Sequence, residues 1–252
     1  MFKRTRTTLA VLALLMFLLC DRANASITLN FFPTSDFDTN TTTMDAALGV
    51  TGYTIDTFES TSFIPGLTIS LTGGVPSTTW TSLPNLFDEG PCGPFTANSA
   101  WDGTHEVLNV LNNTVTSCTG PANISQFITF NYGPGATSLG IGMGNFQSLS
   151  SPSFPITNHE LFVNGVDMGQ LETLAGGAWT AELARNAYLR IDATGGTSIT
   201  SVEFENLTGS GSDVLGFDHL AVLPAATTVP EPGTLFVTLA GLLALPAIRF
   251  RR

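Results

Sequence analysis

Lysine is almost missing from this chain: Lys3 is the only one in 252 residues, and between Ser26 and Thr228 the only basic side chains are Arg185 and Arg190. Binding to nucleic acid needs clustered Lys and Arg to neutralise phosphates, so nucleic acid is excluded as a partner of this segment. Charge of any sign is scarce, at 12% of residues, and most of it is acidic, with 20 Asp and Glu against 9 Lys and Arg. Divalent cations and neutral sugars remain chemically suitable partners. Long blocks of like charge are absent, whereas Phe, Val, Ile and Leu are plentiful, which separates the chain from disordered acidic tails. That apolar content can fill one packed core of roughly 200 residues.

Histidine and cysteine are equally sparse. His105, His159 and His219 are the only histidines, and none stands in the H-x-H or H-E-x-x-H spacing of a zinc site; each is expected at the surface or at a strand end. No G-x-S-x-G elbow occurs, so the abundant Ser and Thr carry no serine-hydrolase signal. Cys20 lies beside an amino-terminal apolar stretch, and Cys92 and Cys118 lack the CxxC spacing of a metal or redox pair. In an oxidising compartment those two form an even pair, and a Cys92–Cys118 disulfide is expected, with two separate buried thiols as the alternative.

No apolar run reaches the ~20 residues of a comfortable membrane span, yet a shorter one stands near each end. Lys3, Arg4 and Arg6 precede the apolar stretch Leu9 to Leu19, and Ala23-Asn24-Ala25 supplies the small-x-small pattern of a secretory cleavage site before Ser26. At the other end Val229-Pro230-Glu231-Pro232-Gly233 leads into an uncharged run ending at Ile248, followed by Arg249-Phe250-Arg251-Arg252. As a helix that run would extend roughly 24 Å, short of the ~30 Å hydrocarbon core. Arginine side chains reaching to the headgroups cover part of the deficit. Apolar residues on every side leave no polar face for a surface helix. Positive charge beside both apolar runs places both ends on the cytoplasmic side and everything between them outside. Residues 1–25 thus read as a secretory signal peptide, 26–224 as one domain, 225–232 as a proline-stiffened linker, and 233–252 as a transmembrane anchor with a basic tail of Arg249, Arg251 and Arg252.

The order of Pro-Glu-Pro break, apolar helix and basic stub resembles the C-terminal signal of PEP-CTERM proteins, exported bacterial proteins handled by an exosortase. Gly140 to Gln147, Leu161 to Gly165, Ala187 to Asp192 and Gly216 to Val222 are also similar to segments of exported PEP-CTERM proteins. The resemblance implies the membrane and an exosortase as partners, cleavage near Pro230-Glu231-Pro232, and release or relinking of the domain into the extracellular matrix. It implies no reaction. Pro246 interrupts the apolar run and departs from the commonest form of the signal.

Within 26–224 the periodicity is that of strands. Gly66 to Leu71 alternates apolar and polar residues, and Ile124 to Phe130 is rich in β-branched and aromatic side chains. Asn164-Gly165, between apolar runs, predicts a two-residue type I′ hairpin. A second hairpin is expected to join Ala187–Ala193 to Ser198–Glu205 through Thr194-Gly195-Gly196-Thr197. Further strands are expected at Ile27–Phe32, Tyr53–Phe58, Glu106–Leu111, Ser138–Met143 and Gly216–Leu223, with helix limited to Thr43–Leu48 and Ala181–Arg185. About ten short antiparallel strands predict an all-β fold, a β-sandwich of jelly-roll type, with an up-and-down barrel as the alternative.

Candidate chemistry is thin. Asp88-Glu89, beside Gly90 and Pro91, reads as a solvated turn, and Glu203 with Glu205 as the wet face of a strand whose Val202 and Phe204 point inward. Glycosidase chemistry would need two carboxyls across a cleft. Structural Ca²⁺ is the one ion with a specific expectation, held by Glu59 and by Asp218, the latter placed on the strand face of Leu220 and Val222 by simple alternation. Trp80, Trp101 and Trp179 suit either a sugar-stacking platform or ordinary packing. The expected function is a non-enzymatic envelope or extracellular-matrix protein; the alternative is a carbohydrate-binding module for a surface glycan or exopolysaccharide.

Overall fold

The computed structural model describes residues 25–33, 41–73, 77–82, 87–88, 105–109, 125–144, 159–176, 187–206 and 215–225. Their strands are β1 (Ser26–Pro33), β2 (Thr54–Asp56), β3 (Leu67–Thr72), β4 (Thr78–Trp80), β5 (Phe87–Asp88), β6 (His105–Leu108), β7 (Phe127–Gly144), β8 (His159–Val163), β9 (Val166–Gln170), β10 (Ala187–Thr194), β11 (Ile199–Asn206) and β12 (Gly216–Pro224). Two helices join them, α1 (Thr41–Leu48) and α2 (Leu171–Ala175). All described pairings are antiparallel, and the twelve strands are hydrogen-bonded into one sheet.

The side-chain alternation explains most of these elements. In β3, Leu67, Ile69 and Leu71 are buried while Thr68, Ser70 and Thr72 are only partly so. In β11, Val202 and Phe204 are fully buried and Glu203 and Glu205 lie on the outer face. Asn164 (φ 54°) and Gly165 (φ 72°) both take the positive φ of a type I′ turn and join β8 to β9 as expected. Helix α1 ends in a Schellman motif: Gly49 (φ 69°) donates its N–H to Ala46 O, and Val50 donates to Asp45 O.

The centre of the sheet differs from the sequence expectation. Instead of two short strands around Ile124–Phe130 and Ser138–Met143, β7 is one strand of 18 residues. Its first half lies between β3 and β11, and its second half between β12 and β10. Ala136 pairs with Ile199 of β11 on one side and Pro224 of β12 on the other. It follows that β10 and β11 succeed each other along the same edge of β7. They do not pair with one another, so the hairpin expected over Ala187–Glu205 is a corner instead. A strand long enough to accept both partners end to end removes the need for a hairpin, and Thr194–Thr197 becomes the link between them.

Within β7, Gly133-Pro134-Gly135 bends the strand back on itself. A straight strand would carry Phe130 roughly 40 Å from Met143. Yet the Phe130 ring centroid lies 5.1 Å from that of Phe217, the cross-strand partner of Met143. Phe204 approaches Phe217 equally closely, at 4.8 Å. The sheet therefore curls until its two halves face each other, and the main core fills the space between them. Strands β1, β2, β4, β5 and β9 each pair with a single described neighbour, so among the described residues the curled sheet stays open.

A bulge in β12 overturns one placement made by simple alternation. Between the pairs Asp218↔Gly142 and Ala221↔Gly140, β12 advances one residue more than β7, and His219 takes φ 48°. Leu220 and Val222 join the main core, whereas Ala221 packs into the smaller cluster under α1 with Met44, Leu48, Val50 and Tyr188. Asp218 shares the face of Ala221, not that of Leu220 and Val222, because the extra residue reverses the alternation.

Helix α1 covers the expected Thr43–Leu48. The second expected helix, Ala181–Arg185, lies outside the described residues, as do 1–24, Cys92, Cys118, Trp101, Trp179, Val229 to Gly233, and Arg249, Arg251 and Arg252. Among the described residues no helix is long and apolar enough to cross a membrane.

Candidate functional site

The densest polar arrangement sits where α1 lies against β10 and β12. Tyr188, fully buried, donates its hydroxyl proton to the carbonyl of His219 at 3.0 Å and packs edge-on against the His219 ring. A β-carbon on Gly140 would come within 2.5 Å of the Tyr188 hydroxyl oxygen, so glycine there makes room for the ring. His219 Nε2 stands 3.0 Å from Asp45 Oδ1 on α1, outside hydrogen-bond geometry, and the His219 N–H donates to Asp218 Oδ1 at 2.6 Å.

Arg190, on the same face of β10, closes the arrangement at the helix end. Its Nη1 donates to Leu48 O at 2.7 Å and its Nε to Asp192 Oδ2 at 3.0 Å. A cation on the last carbonyl of a helix complements the helix dipole. Asp192 also accepts protons from Ser138 Oγ and Asn30 Nδ2, which ties β1, β7 and β10 to the same guanidinium. Gly49 is needed twice over, for its left-handed backbone and because a β-carbon would meet Arg190 Nη1.

Chemically, a histidine beside a carboxylate could serve as a general base, but a base must reach its substrate. His219 is 1% exposed and Tyr188 0%. The arrangement therefore fastens helix to sheet.

Glu59, one of the two expected calcium ligands, is directed at His105. Its Oε1 accepts the His105 N–H at 2.7 Å, and its Oε2 lies 2.9 Å from the His105 Nδ1. Asp218, the other, is fully buried, and its Oδ1 accepts the His219 backbone N–H. Among the described residues no three His, Cys, Asp or Glu side chains converge as a metal site. Asp88 is not in a turn: it occupies β5 opposite His105. His105 and His159 each open a strand, β6 and β8, as expected, although His159 is fully buried; His219 departs from the expectation of a surface or strand-end place, sitting buried in the β12 bulge. Trp80 packs its half-buried ring against the main core.

Sequence reasoning passed over Asp56, which is 5% exposed and accepts backbone N–H bonds from Phe58 at 3.1 Å and Ile64 at 2.8 Å. The bond to Phe58 is an Asx turn, whose sequence signal is an aspartate opening a Ser- and Thr-rich loop. It stops β2 at Asp56, short of the expected Phe58, which itself takes φ 54°.

On the outer face of the other half, Glu205 lies directly across from Glu160, with Glu203 accepting a proton from Thr129 Oγ1. Partial burial first, and then the charges of Glu160, Glu203 and Asp167, raise the pKa of Glu205 above the ordinary carboxylate value. A raised pKa means that the folded state binds the proton more tightly than the unfolded chain. Stability from this group is full below the ordinary carboxylate range and falls as pH rises through the shifted value. Glu205→Gln should therefore stabilise the protein at pH 7 by about 0.5 kcal/mol or less. In paired urea titrations across pH 3 to 7, that gain should vanish at the acid end.

Comparison with protein-family models, with characterised proteins and with solved structures finds no match to this chain.

Proposed function

We propose that this chain is a non-enzymatic envelope or extracellular-matrix protein of the PEP-CTERM kind. It is exported through its signal peptide, held by a carboxyl-terminal membrane helix, and cut by an exosortase near Pro230-Glu231-Pro232. The observation that carries this reading is the tail itself, a Pro-Glu-Pro break followed by an uncharged apolar run and three arginines. Two features of the folded part support it. Strand β1 starts at Ser26, the residue that follows the expected cleavage site, and the domain is built of antiparallel β-structure with few basic groups. In this reading 26–224 is a jelly-roll sandwich whose two leaves are the halves of the sheet on either side of the β7 bend. The facing rings of Phe130, Phe204 and Phe217 favour it.

Mass spectrometry and fractionation of the native protein test the proposal. The expected result is an amino terminus at Ser26 and loss of the mass beyond the Pro-Glu-Pro motif. An intact tail in the membrane fraction reduces the reading to plain anchoring, and an uncut chain in the cytosol overturns it.

A further inference from the structure

The points where the chain enters and leaves the sheet lie at the same end of it. Ser26 pairs with Thr194, and the Thr194–Thr197 link leads into Ile199, which pairs with Ala136. Ala136 also pairs with Pro224, and the Ala225 N–H donates to Gly135 O. Entry and exit are separated by β10 and β7 alone, roughly 14 Å at the spacing of neighbouring strands. The β8–β9 turn reaches the same end, because Asn164 donates from Nδ2 to Ser198 O and accepts at Oδ1 from Thr200 N and Ser201 N. So does Gly66, whose carbonyl accepts the N–H of Gly133 at the β7 bend.

This end has a distinct surface. The two large apolar side chains most exposed among the described residues are both there, Val166 at 61% and Leu223 at 39%. Around them stand exposed Gly66, Gly133, Pro134, Asn164, Gly165 and Pro224, and among the described residues the charge nearest Val166 is Asp167, the next residue of β9. The first charges met along the chain are Asp167 and Asp192. At the far end of the strands the surface is acidic, with Glu160 and Glu205 across from each other and Glu59 beside His105.

We propose that this end faces the outer surface of the lipid bilayer, with Val166 and Leu223 in the headgroup region. The proposal rests on the anchored reading above. If 233–252 is the membrane helix, the linker 225–232 is its only tether to Ala225, and in the polyproline II form that its prolines favour it reaches ~25 Å. Strand β12 alone, with 9 residues, is roughly 30 Å long. A tether of that length falls short of the domain's length, which disfavours turning the far end toward the membrane. Charge acts in the same sense: carboxylates within about 8 Å of an anionic lipid surface are repelled, and this end would bring Asp167 near it beside Val166, whereas the far end would bring the facing pair Glu160 and Glu205.

Energy transfer in proteoliposomes tests this on the full-length chain. An azide-bearing residue placed at Val166, at Leu223 or at the far-end Gln126 carries a donor dye, and the lipids carry a surface acceptor. Transfer from 166 and from 223 should exceed that from 126 at least two-fold. The labels at 166 and 223 are independent reporters, so one badly folded variant does not silence the test. Equal or greater transfer from 126, in protein that floats with the vesicles, overturns the orientation and leaves anchoring intact. Failure to float removes anchoring and the orientation with it.

Discussion

Replacing Phe217 by Ala is expected to lower the unfolding free energy by about 3–5 kcal/mol, the upper range for deleting a buried aromatic ring. Phe217 is fully buried and touches both Phe130 and Phe204 from the opposite half of the curled sheet. Its loss removes apolar burial and also leaves a void between two halves whose backbones are held apart by their own hydrogen bonds. Collapse around the void is limited, so the cavity adds to the transfer cost. Urea unfolding at an unchanged m-value, with the midpoint displaced downward, is the measurement. Phe217→Leu, which keeps most of the volume, should lose less than half as much.

Asp56→Ala should cost about 2–3 kcal/mol, because a buried carboxylate accepting two backbone N–H groups is replaced by a side chain that accepts none. Both donors, on Phe58 and Ile64, would then face an apolar side chain. The effect should be local as well as global: amide exchange between Thr57 and Gly66 should quicken more than exchange in β3. Asp56→Asn retains one acceptor oxygen and should lose roughly half as much. Equal exchange rates in the wild type and Asp56→Ala would show that the loop is held by something other than this side chain.

How far these features could be read from the sequence depended on how local their causes are. Alternation in β3, β10 and β11 depends on neighbours two residues away, and the Asn164-Gly165 turn on two adjacent residues, so each was visible. The bulge at His219 was not. No glycine marks it, and the Tyr188 hydroxyl that bonds the His219 carbonyl comes from another strand. The anchoring of α1 was equally hidden, because Arg190 reaches a carbonyl 142 residues away. The same blindness explains the misplaced hairpin over Ala187–Glu205: glycines at 195 and 196 announce a change of direction, but not whether the chain returns beside itself or continues along a third strand. Glu59 and Asp218 were paired by analogy with a fold, and the pattern of residues could not reveal that the first accepts from His105 and the second from the His219 N–H.

The place of β12 in the sheet has a consequence for when the protein can fold. It is the last described strand to be made, yet it lies inside the sheet, bonded to β7 along one edge and to β2 and β6 along the other. Until residues 216–224 have been synthesised, β2 and β6 have no seat and Phe217 is missing from between Phe130 and Phe204. The sheet of the nascent chain therefore stays incomplete almost to its end and closes only when the final strand arrives.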